Sequence, residues 1–73
     1  MSYQDILTSN GFYKWHSCHC VGTLRERWKR QQPHDLEFTI YPKRNTIETK
    51  IRKVIVCRTG LENLQSEIEK YLK

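Results

Sequence analysis

Between Trp15 and Cys20 the chain reads Trp-His-Ser-Cys-His-Cys, its densest grouping of residues that bind metals or move protons. In extended backbone His16, Cys18 and Cys20 point to one side and His19 to the other. Tetrahedral zinc sites draw paired ligands from C-x-x-C or H-x-x-x-H spacing, in which two side chains of one turn converge. A C-x-C pair does not converge in this way, and Cys57 or His34 would have to complete the shell from far along the chain. The segment therefore reads as a strand with partly buried thiols, and neither a metal nor a cofactor is expected. Cys18 and Cys20 lie too close in one strand to pair comfortably, so the three cysteines are expected to be reduced. A histidine needs a second acid or base at a matching position to act in proton transfer. None accompanies His16 or His19 at an evident spacing, so no residue is assigned a catalytic role.

The other chemistry is electrostatic. Ten of the thirteen basic residues lie between Leu24 and Arg58, against Glu26, Asp35, Glu37 and Glu48, a local excess of six in a chain of formal charge +5. Such a balance suits a phosphate backbone or an acidic protein groove. The 73 residues allow one domain, 1–73, which buries only about 60% of the surface exposed by its unfolded chain. A lidded enzyme pocket fits poorly into so thin a core, and a binding role is expected. Met1 to Ser9 has neither a basic leader nor an apolar run, which predicts a cytoplasmic protein with no membrane partner.

The elements that must position these charges follow from periodicity. Ser2 and Asp5 form the start of a short helix with Tyr3, Ile6 and Leu7 as its apolar stripe, ended by Asn10-Gly11. Strands are predicted over Phe12 to Val21, Leu24 to Arg30 and Leu36 to Tyr41, with a turn at Gly22, a loop at Gln31 to Asp35 and another turn at Pro42 to Asn45. A fourth strand begins at Thr46. Its alternation slips at Arg52-Lys53, where a bulge or tight bend is expected before the apolar run Val54 to Cys57. Thr59 and Glu62 read as a capping box for a last helix with Leu61, Leu64, Ile68 and Leu72 on one stripe.

The order α-β-β-β(-β)-α describes an α+β domain of two layers, an antiparallel sheet with both helices on one face. Leu24, Trp28, Leu36, Phe38, Ile40, Ile47 and Ile51 are expected to face the helices. Arg25, Arg27, Lys29, Thr39, Tyr41, Lys50 and Arg52 fall on the open face, with few acidic residues among them. Tyr13 and Trp15 can join from the first strand. The expected binding residues are Arg25, Arg27, Lys29, Tyr41, Lys43, Arg44, Lys50 and Arg52, because arginine pairs with phosphate while aromatic rings stack on bases.

Helix, Gly11-Phe12, a strand holding His16 and His19, a basic strand, a further strand and a closing helix together resemble the HicA-type messenger-RNA interferase toxins, which share the double-stranded-RNA-binding-domain fold. That resemblance implies a ribonuclease using one strand histidine. Here His16 follows Lys14-Trp15 and His19 follows Ser17-Cys18, whereas the family's histidine follows Gly-Ser. Gly11-Phe12, Cys18-His19-Cys20, Gly22-Thr23, Trp28-Lys29 and Pro42-Lys43-Arg44-Asn45 also resemble the pattern of uncharacterised small proteins of bacteria, phages and mobile elements. That class includes anti-CRISPR inhibitors, which occupy an RNA-guided nuclease. The leading expectation is a non-enzymatic module that engages RNA or an RNA-protein complex through its basic sheet face. An inhibitor docking on an acidic protein surface is the first alternative and the toxin the second.

Overall fold

Local chemistry sets the element boundaries in the computed structural model, which describes residues 2–20, 23–30 and 35–72, the side chain of Cys20 excepted. Helix α1 spans Tyr3–Ser9, and the Ser2 hydroxyl accepts the Asp5 N–H at 3.3 Å, closing the N-terminus as the sequence anticipates. The helix stops because Gly11 takes φ +84°, a conformation that a Cβ would oppose. The chain then enters β1 (Tyr13–Cys20), β2 (Thr23–Lys29), β3 (Leu36–Tyr41), β4 (Thr46–Ile51) and β5 (Val54–Gly60) before α2 (Leu64–Leu72). The strands form one antiparallel meander, each paired with its neighbours in chain order, so β1 and β5 are the edges.

Cross-strand register assigns the faces, since paired residues in an antiparallel ladder point the same way. Trp28 opposes Phe38, which opposes Thr49, while Glu26 opposes Ile40, which opposes Ile47. Both helices lie over this face. From α1 the Tyr3 hydroxyl donates to Glu26 at 2.9 Å, and from β4 the Thr49 hydroxyl donates to Glu67 of α2 at 3.3 Å. Leu7, Leu64 and Ile68 complete a buried cluster with Trp28, Leu36, Phe38, Ile40 and Ile47, and Phe12 meets Phe38 edge to face at 5.3 Å. The opposite face carries no helix among the described residues.

Three expectations need correction. The tight bend expected at Arg52-Lys53 is present as a two-residue turn, but it fully reverses the chain, so there are five strands in place of three or four. Thr59 lies within β5 and accepts a hydrogen bond from the Asn63 side chain at 2.9 Å. The last helix is therefore entered from Gly60 through a 3-10 turn at Leu61–Asn63, and the Thr59–Glu62 capping box does not form. Leu24 is only half-buried, because it sits toward the free end of an edge hairpin, beyond the reach of the described core cluster. The turn at Gly22, most of the loop from Gln31 and His34 lie outside the described residues. No described helix is long and apolar enough to cross a membrane.

Candidate functional site

A bulge in the edge strand creates the most distinctive surface of the molecule. Lys14 opposes Trp28 and His16 opposes Arg27, so Trp15 is the extra residue between two registers. An extra residue breaks the alternation and brings neighbouring side chains to one side. Trp15 and His16 accordingly share the open face, with ring centroids 5.8 Å apart. Trp15 keeps 40% of its surface exposed, while the Arg27 guanidinium lies 4.4 Å and the Lys29 ammonium 4.8 Å from its ring centroid. Both are within cation–π range. Strand pairing makes this possible, because Arg27 and Lys29 alternate on β2 directly beside the bulge.

Trp15 forms one wall of a cleft of about 520 Å³. Arg52 and Lys53 close its far side, from the β4–β5 turn. Both residues of that turn have positive φ, 53° and 68°, so it belongs to the hairpin class that normally takes Asn-Gly. Within the cleft, Arg27 binds Glu37 at 3.0 Å and Arg52 meets Asp35 at 3.6 Å. Lys29 and Lys53 have no carboxylate partner among the described residues. Four cations and two carboxylates leave a local charge of +2 around an exposed indole.

The centre of the open face is less basic than expected. Arg27, Thr39, Glu48 and Arg58 form one cross-strand row, and Lys29, Glu37, Lys50 and Ile55 form the next. Glu48 accepts from Arg58 at 2.9 Å and from the Tyr41 hydroxyl at 3.4 Å. The face therefore neutralises much of its own charge. Its long side chains cover Thr39, which is 1% exposed although it lies on the solvent side, and the Thr39 hydroxyl and Arg25 Nε are buried without a hydrogen-bond partner among the described residues.

Of the eight expected binding residues, Arg27, Lys29 and Arg52 come together at the cleft. Lys50 lies on the same face as a register neighbour of Glu37. Tyr41 is engaged by Glu48, and Arg25 is half-buried on β2. Lys43 and Arg44 stand exposed on the 3-10 turn Pro42–Arg44, beyond the other end of β3. The length of β3 puts them about 17 Å from the cleft, so the eight do not make one continuous patch. Arg52 belongs to the turn and not to the strand face, because the chain reverses there. Lys53 and Trp15 were not among the expected eight. An exposed tryptophan in an otherwise polar strand was the available signal, while the bulge that turns it toward Arg27 leaves no mark in the alternation.

Among the described residues the histidines and cysteines form no cluster. His16 is exposed on the open face, and His19 opposes Leu24 on the other. No group of three potential ligands lies close enough to hold a metal ion among the described residues. The expectation of three reduced thiols is corrected at Cys18, which is disulfide-bonded, while Cys57 is a free thiol. The Cys20 side chain lies outside the described residues. The groups with displaced pKa sit on the helix side. Burial, then the hydrogen bond to Glu26 and its charge, push Tyr3 up to about 12. A hydrogen bond to Glu67, then burial, raises the Cys57 thiol and makes it a poor nucleophile. No family model, curated protein or solved structure matches the chain.

Proposed function

We propose that this chain is a non-enzymatic binding module that engages single-stranded RNA, free or within an RNA-protein complex, at the Trp15 cleft. The observation that carries this reading is the exposed indole with Arg27 and Lys29 close to its ring, in a cleft that also presents Arg52 and Lys53. An aromatic wall accepts any base by stacking, and the surrounding cations accept its phosphates, so affinity arises without a sequence code. Lys50 on the open face, and Lys43 and Arg44 on the separate turn beyond β3, add long-range attraction that steers the approach of the polymer.

Binding of a labelled unstructured RNA across a salt series tests the reading. Each phosphate contact of a single strand contributes a slope of about −0.7 in log K against log salt, so three to four contacts around the cleft give roughly −2 to −3. Absence of binding at low salt overturns the reading. A denaturing gel of the same samples reports whether the RNA is cut, and His16, beside Trp15, is the residue to replace if it is.

A second reading, an inhibitor that docks on a protein, is favoured by one other observation. Val54, Ile55 and Val56 are exposed on the edge strand β5, whose outward backbone groups have no neighbouring strand. Such an edge accepts an added strand from a partner. Lys substitution at Ile55 then abolishes complex formation while leaving RNA binding unchanged; loss of RNA binding instead would count against two separate surfaces.

A further inference from the structure

Resting on the RNA reading above, we propose that the Trp15 cleft seats the phosphorylated terminal nucleotide of a single strand, its phosphomonoester held by Lys29 and Lys53. Charge is the first argument. The Arg27–Glu37 and Arg52–Asp35 pairs are internally balanced, which leaves Lys29 and Lys53 as the two uncompensated charges of the cleft. A phosphomonoester carries about −1.5 to −2 at neutral pH. An internal phosphodiester carries a single negative charge and leaves half of this excess unmatched.

Shape is the second argument. A cleft of about 520 Å³ is of the size that encloses a small ligand, and the β4–β5 turn shuts one side of it. From the cleft along the open face, a strand would meet the carboxylates of Glu37 and Glu48 around the buried Thr39. Those carboxylates neutralise the arginines beside them, so the sheet centre offers less net charge than the cleft and is a poor track for a polymer that continues in both directions. A terminus needs only one exit. The base stacks on Trp15, the phosphate meets the two lysines, and the rest of the strand leaves toward solvent. Arg27 holds fixed donor geometry beside it, since it is already hydrogen-bonded to Glu37.

The test compares four versions of one short internally labelled RNA: 5′-phosphate with 3′-hydroxyl, 5′-hydroxyl with 3′-phosphate, hydroxyl at both ends, and a closed circle. One of the two phosphorylated linear forms binds at least about tenfold more tightly than the hydroxyl-ended form, the scale of an added charge-assisted hydrogen bond, and the circle behaves like the latter. The preferred form identifies which end is held. In Lys29→Ala with Lys53→Gly the preference disappears; glycine suits the positive φ at Lys53, and an unchanged far-ultraviolet circular dichroism spectrum confirms folding. Equal binding of all four RNAs overturns terminal recognition and leaves RNA binding intact. No binding by any of them overturns both.

Discussion

Replacing Trp15 by alanine isolates the stacking contribution from the charge. The ring leaves 40% of its surface open. For a side chain presenting up to about 250 Å² this is about 100 Å², and complete coverage at about 25 cal/mol per Å² gives a ceiling of about 2.5 kcal/mol. A base covers one side of an indole, so about half that ceiling, near 1.3 kcal/mol, is the expected loss, a roughly tenfold weakening. This lies at the lower end of the about 1–3 kcal/mol found for base–aromatic stacking. The salt slope should hardly change, since no cation is removed. Fluorescence anisotropy of a labelled RNA reads the affinity, and intrinsic emission supplies an internal check. The chain has two tryptophans, and Trp28 is buried on the helix side of the sheet. RNA should therefore quench the wild type and leave the Trp15→Ala emission unaltered. Wild-type affinity in a folded Trp15→Ala protein would refute the cleft as the binding site.

Lys29→Ala should flatten the salt slope by about 0.7, whereas Arg27→Ala should flatten it less, because Glu37 already serves as a counterion to Arg27; equal changes would show that the ion pair opens on binding. Exchanging Arg52-Lys53 for Asn-Gly should raise stability by about 1–2 kcal/mol in a denaturant titration by relieving two positive-φ residues, while weakening RNA binding. Phe38→Ala should cost about 3–5 kcal/mol, measurable as a lowered denaturation midpoint or outright unfolding, since Phe38 is fully buried in the core and meets Phe12 edge to face. Tyr3 is held protonated in the fold, with its pKa raised from 10.0 to about 12. Its contribution to stability is therefore complete below pH 10 and is lost as the pH rises toward 12; Tyr3→Phe should show a smaller loss over that window, and identical pH profiles would refute the Tyr3–Glu26 coupling.

Strict alternation made most of this fold legible. Leu36, Phe38 and Ile40 against Glu37, Thr39 and Tyr41 specify β3 to the residue, and the same period places Trp28 inward and Arg27 outward. Interruptions of the period are harder to read: the slip at Arg52-Lys53 announced a bulge or tight bend, whereas the bulge at Trp15 left no mark, and together the two build the cleft. Register was equally hidden. The open face was expected to hold few acidic residues, and only the pairing of strands shows Glu37 and Glu48 meeting Arg27 and Arg58 and cancelling the charge expected there. The excess of basic residues in the sequence thus overstates the continuous basic surface, because composition carries no information about which charges become neighbours.

The β4–β5 turn is where stability and binding pull apart. Asn-Gly would suit a turn with two positive φ values, yet the chain places arginine and lysine there, at a cost of about 1 kcal/mol or more for each strained residue. Nothing in the core requires this: Ile51 and Val54 on either side are partly buried and exposed, respectively, and the turn carries no buried side chain. The two residues do share one surroundings, the lip of the Trp15 cleft. Elsewhere the open face places carboxylates beside its arginines and lowers its field; at this lip Lys53 is left uncompensated among the described residues and Arg52 is 86% exposed at its side chain, facing Asp35 at a loose 3.6 Å. A fold that balances its charges across the sheet and then accepts backbone strain to keep two cations at one corner concentrates its field at that corner. The strain makes sense if an anion is what the corner receives.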